Sequence, residues 1–129
     1  MRAWYVAVAM AFTLVLPARA QSPEGSWRIL SLAGVETLSS DEASLEIATD
    51  GKAGATVGCN RLIASARFSG SSLSFGKVAA TMMACPPPLD VEERAWAGVL
   101  TDTASFRIEA GRLTLLSEAG NVLATLENK

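Results

Sequence analysis

Apolar and polar positions alternate along most of this chain with the two-residue period of strands that bury one face. Leu62, Ala64, Ala66 and Phe68 share one face of residues 62–68, and Arg67 lies on the other. The same rhythm turns Leu45 and Ile47 inward on a strand over 44–48, which ends at Thr49-Asp50-Gly51-Lys52. Asp-Gly marks a tight hairpin there, because glycine accepts the positive φ that such turns require. A return strand over 53–58 is made of small residues, Ala53 through Val57, which let backbones approach closely. Upstream, residues 25–32 have the aromatic and β-branched content of a strand. Regular alternation puts Trp27, Ile29 and Ser31 on one face and Leu30 and Leu32 on the other. Beyond a turn at Ser69-Gly70-Ser71-Ser72, Leu73-Ser74-Phe75 forms a short strand. The tail predicts a meander over 104–109, 112–117 and 122–127, with turns at Ala110-Gly111 and 118–121. Its inward sets are Phe106 with Ile108, Leu113 with Leu115, and Val122 with Ala124 and Leu126.

The period changes once. Leu89, Trp96, Val99 and Leu100 fall on one stripe of a helix over 90–100. Glu92 and Glu93 occupy its first turn, where the helix dipole favours acids, and Asp90 is placed to cap the start with Glu93 as its capping-box partner. Before it, residues 78–85 are expected to extend as strand or coil against the core until Pro86-Pro87-Pro88 ends them. Strands every eight to ten residues with one helix predict a mainly β (α+β) fold. The expected form is a small antiparallel barrel or sandwich of about seven to eight strands. Trp27 then anchors the core near one barrel end, and Trp96 lies across the sheet or plugs an end.

The first residues read differently. Arg2 precedes an uncharged, mostly apolar run of fourteen residues from Ala3 to Leu16, and Ala18-Arg19-Ala20 follows as a cleavage signal. Fourteen residues fall short of the roughly 20 that span a bilayer core, so residues 1–20 are expected to be a cleaved signal peptide and 21–129 one exported domain. No cysteine lies near the cleavage site, so no lipid anchor is expected on the mature chain. Cleavage removes Arg2 and Arg19 and no acid, leaving nine basic against thirteen acidic residues, a net charge of −4. A mildly acidic domain without a basic cluster is poorly suited to nucleic acid or to anionic lipid.

The chain has no histidine, which removes Ser-His-Asp and Cys-His catalysis and histidine metal sites. Its two cysteines, Cys59 and Cys85, are read as a disulfide, since exported chains meet oxidising conditions. Free thiols at these positions would reopen cysteine chemistry, although neither sits in a Cys-x-x-Cys motif. Met82, Met83 and Cys85 invite a soft-metal reading, but methionine is a common gap filler and core packing is the expectation. No catalytic residue, metal ligand or cofactor site is assigned, and Asp41-Glu42 and Glu92-Glu93 are read as surface or helix-start charges.

Gly58-Cys59-Asn60-Arg61 followed by Thr81-Met82-Met83-Ala84-Cys85 resembles the paired cysteine segments of the META domain, the domain of HslJ-type heat-shock proteins. The resemblance runs from about Gly25 to Glu127 and makes Gly58, Cys59, Asn60, Arg61, Thr81, Met83 and Cys85 the family motif. It implies a β-rich periplasmic or secreted protein of the envelope stress response. The expected role is non-enzymatic, with another envelope protein as the partner. The alternative is a barrel that carries a small lipophilic ligand or inhibits a protease.

Overall fold

The computed structural model describes residues 3–4, 7–11 and 21–129. Arg2 and Ala18-Arg19-Ala20, on which the signal-peptide reading rests, lie outside the described residues. Among the described residues the sequence forms nine strands, β1 (Gly25–Leu32), β2 (Ser44–Ile47), β3 (Lys52–Thr56), β4 (Arg61–Ser69), β5 (Ser72–Phe75), β6 (Ala79–Ala80), β7 (Thr103–Glu109), β8 (Arg112–Ser117) and β9 (Val122–Asn128). A single helix among the described residues, α1 (Leu89–Asp102), enters between β6 and β7. Every pairing is antiparallel. The order β3-β2-β1-β9-β8-β7-β5-β4 closes through a β3–β4 pairing, giving an eight-stranded barrel. Closure gives each of those eight strands a neighbour on both sides, with β5 and β7 meeting at a single register pair, Ser72 with Ser105. β6 stands outside the ring, bonded to β4 through Leu62 and Ile63.

Inward positions supply the core. Leu45, Leu62, Leu73, Leu113, Leu115 and Leu126 are fully buried, and the α1 stripe adds Trp96, Val99 and Leu100. Trp27 is buried as expected, its Nε1 donating to the Pro23 carbonyl at 2.8 Å. The β2–β3 hairpin turns at Gly51, whose φ of +89° meets the requirement read from Asp-Gly.

Two inward assignments fail, each at a bulge. The β1–β9 register shifts between Ile29 and Ser31, which reverses the facing of the rest of the strand. Leu32 therefore joins Trp27 and Ile29 in the core, away from exposed Leu30. The β8–β9 register shifts between Leu115 and Leu116, and Val122 faces solvent. Alternation alone does not reveal an inserted residue.

The helix start also differs. α1 begins at Leu89, with Pro88 at the N-cap and no side-chain cap bond. The Pro88 carbonyl accepts from Val91 N and Glu92 N, both at 3.1 Å. Asp90 is thus already inside the helix, where its carboxylate sits 3.9 Å from Arg94, and Glu93 is drawn elsewhere.

Candidate functional site

The two cysteine segments meet the helix at one junction, and Asn60 is its centre. The β3–β4 connection needs a residue with φ of +114° at position 58, and Gly58 supplies it. A Cβ there would also lie 2.9 Å from Ser40 Oγ, so the turn closes against the β1–β2 loop only with glycine. Cys59 then bonds Cys85, 26 positions further along the chain, with Cα atoms 6.0 Å apart.

Asn60 is 4% exposed, and its carboxamide is fully used. Oδ1 accepts from Thr81 Oγ1 at 2.9 Å and from Met83 N at 2.8 Å. Nδ2 donates to the Met83 carbonyl at 2.9 Å and to Glu93 Oε2 at 3.0 Å. Those two bonds exhaust its hydrogens. Cys85 Sγ, 3.2 Å away, is therefore a close neighbour rather than a third acceptor. The Asn60 backbone N–H donates to Glu93 Oε1 at 3.0 Å, and its carbonyl accepts from Thr56 Oγ1 at 2.9 Å. Because the amide engages both the N–H and the C=O of Met83, it stands in for a strand neighbour. It carries the β4–β6 pairing beyond Thr81, whose N–H reaches the Arg61 carbonyl at 3.1 Å. Thr81 Oγ1 also accepts from Arg61 N at 3.0 Å.

The motif residues thus play unequal parts. Gly58, Cys59, Asn60, Thr81 and Cys85 build the junction through conformation, bond or side chain. Met83 contributes its backbone, and its side chain is 59% exposed. Arg61 contributes its backbone as well, while its guanidinium lies over Gly54 on the outer wall, 2.9 Å from Cζ to the position a Cβ would take. It borders a surface cleft of about 410 Å³ with Ser26, Glu46, Lys52 and Ile63.

Three expectations are corrected here. Residues 79–84 do not pack against the core. They are exposed, because the barrel interior is already filled and β6 only pairs with the edge of β4 through two residues. Met82 is 95% exposed, so neither methionine is a gap filler. Glu92 does stand in the first turn of α1, with Glu93 directly after it, but neither is a plain surface charge. Glu93 clamps Asn60, and Glu92 is 2% exposed, its Oε1 accepting from Ser39 N at 2.7 Å and Ser39 Oγ at 3.0 Å. Adjacent acids in the first turn of a helix that follows a cysteine segment by a few residues were the available signal. A favourable helix dipole explains two acids at that position equally well.

The arrangement is chemically quiet in its oxidised form. Both sulfurs are in the disulfide, which has no proton to donate, so the 3.8 Å approach of Cys85 Sγ to Glu93 Oε1 is a contact. No free cysteine remains.

A family model described as META domain matches residues 20–129. Among solved structures, one titled as an NMR structure of a protein from Burkholderia xenovorans is 26% identical, with a TM-score of 0.63 and 82% of each chain covered. A second NMR structure is 20% identical at a TM-score of 0.61, covering 81% of this chain and 88% of that one. A crystal structure of a DUF4847 family protein from Bacteroides vulgatus is 9% identical at 0.59, covering 82% and 93%, a likeness of fold alone. No curated protein matches the sequence.

Proposed function

Because this chain belongs to the META domain family, whose model matches residues 20–129, we propose that it is an exported, non-enzymatic protein of the cell envelope that binds another envelope protein under stress. One observation carries this reading. Residues 78–89 contain no charged side chain, and the disulfide, Asn60 and Glu93 hold the segment on the outside of the barrel with Met82 turned to solvent. Apolar side chains on a surface segment are a liability unless something covers them, and methionine adapts to irregular partner surfaces. The sheet order ends at β6, whose outer edge is unpaired among the described strands. That edge suits an extended segment of a partner, added as one more strand.

Export is supported by the disulfide, which is compatible with an oxidising compartment. Among the described residues, no helix is long and apolar enough to cross a membrane. The carrier alternative finds no support in the barrel interior, which leucines and Trp96 fill.

A photo-crosslinking side chain at position 82, compared in host cells with the same group at exposed Asn121, tests the proposal. The expected result is one envelope protein joined through position 82 and not through 121, confirmed by tagging that partner. Equal adducts from both positions, or none from 82 under heat or envelope stress, would overturn it.

A further inference from the structure

We infer that reduction of the cystine converts the junction into a zinc site, in which Cys59 Sγ, Cys85 Sγ and one Glu93 carboxylate oxygen bind a single Zn²⁺. The three ligand groups already lie within 4.8 Å of one another, each on a partly exposed residue that solvent reaches. Cys85 Sγ is 3.8 Å from Glu93 Oε1. In a tetrahedral site with Zn–S of about 2.3 Å and Zn–O of about 2.0 Å, the sulfur-to-oxygen edge is about 3.5 Å, so this pair needs to close by only a few tenths of an ångström. The two sulfurs must separate to about 3.8 Å, a distance that side-chain rotation supplies across Cα atoms 6.0 Å apart.

Glu93 is also prepared in orientation. The Asn60 N–H donates to Oε1 and Asn60 Nδ2 to Oε2, so non-ligating groups hold the carboxylate against the sulfurs. Outer partners of this kind orient metal ligands and tune their affinity. Two thiolates with one carboxylate form a mixed soft and hard set that suits zinc, and the fourth position is left to water. The ligands come from the β3–β4 turn, the Cys85 segment and α1, so no spacing in the sequence announces them. The soft-metal reading of Met82 and Met83 is thereby replaced, since the carboxylate and not a thioether joins the sulfurs.

The reductant is a dithiol. One of its thiolates attacks a cystine sulfur, forming a mixed disulfide and releasing the other cysteine. Its second thiol displaces the remaining cysteine, and the reductant leaves as its own disulfide. Two electrons and two protons have then passed to Cys59 and Cys85, and Zn²⁺ binding releases both thiol protons. The ion takes over the clamp that the cystine held, so the Cys85 segment stays fixed to the helix in either redox state.

The test uses the purified mature chain, oxidised or reduced without oxygen, titrated with Zn²⁺ and separately with Co²⁺ as a spectroscopic probe. The expected result is one ion per reduced chain, none on the oxidised chain, and cobalt spectra with thiolate charge transfer and tetrahedral visible bands. Glu93→Gln should weaken Zn²⁺ binding by about tenfold or more, the scale seen when a metal site loses an orienting or ligating group. Thr81→Val removes junction hydrogen bonds but no ligand and no bond to Glu93, and should weaken binding less than Glu93→Gln does. Circular dichroism follows the fold of each form. The inference is overturned if the reduced chain takes up no ion, if Glu93→Gln binds as tightly as the parent, or if Thr81→Val loses as much as Glu93→Gln. A reduced chain that is unfolded and not restored by zinc overturns it equally.

Discussion

The β7–β8–β9 meander and the Cys85 segment lie in one small domain and are held by different physics. In the meander, ordered backbone comes with repetition. Phe106 pairs with Leu115, Leu113 with Leu126 and Leu115 with Ala124, and each strand buries one face in the common core. No single group there is indispensable to the pattern. The Cys85 segment has two residues of strand pairing and almost no burial, and it is kept in place by one amide, one carboxylate and one disulfide. Order bought by area is robust and spread out, whereas order supplied by a few directional groups leaves the surface free to present side chains.

Asn60→Ala should break the second region most. It removes four side-chain hydrogen bonds at a buried position, and at about 1 kcal/mol each the loss is about 4 kcal/mol. Urea unfolding measures the total. Hydrogen exchange should show protection lost first at Thr81 and Met83, whose N–H groups depend on Arg61 and Asn60. Uniform loss across the barrel with Thr81 and Met83 unaffected would show that the segment does not rely on the amide.

The paired change Cys59→Ser with Cys85→Ser should follow at about 3.5 kcal/mol, from the chain entropy released by opening a 26-residue loop. Its discriminating feature is location. The meander should keep its native exchange pattern at low denaturant, because none of its bonds involves the cystine. Leu115→Ala should cost about 3 kcal/mol, since its side chain is fully buried, and it should lower protection everywhere at once. If the cystine variant behaves like Leu115→Ala, the two regions form one cooperative unit and the contrast between them disappears.

The same contrast explains what could be read in the sequence. The meander, the β2–β3 hairpin and β4 were legible because alternation and turn residues are local signals, and Phe106, Leu113, Leu45 and Leu62 stand where the pattern put them. Leu32 and Val122 were misplaced because a bulge is set by the partner strand and leaves no mark in its own. The Cys85 segment was illegible in a deeper sense. Its fold depends on Asn60 and Glu93, 33 residues apart, and a half-buried carboxylate clamp has the same local sequence as a helix-start acid. The cysteine pair marked where the junction would be, and the resemblance marked Asn60 and Thr81. Neither indicated that Met82 would face solvent.

The smallest expected effect on stability is the most informative about function. Met82→Ser replaces a side chain that is 95% exposed and makes none of the junction hydrogen bonds, so the unfolding midpoint should shift by no more than about 0.5 kcal/mol equivalent. A partner covering that side chain would lose apolar contact worth about 1–2 kcal/mol, a roughly tenfold fall in affinity read by titrating the crosslinked partner against purified protein. Intact stability with weakened binding would place recognition on the segment that the junction presents. Intact stability with unchanged binding would remove Met82 from the interface and leave the unpaired edge of β6 as the part of that segment to test, since a partner strand bonding there would read backbone and not the methionine.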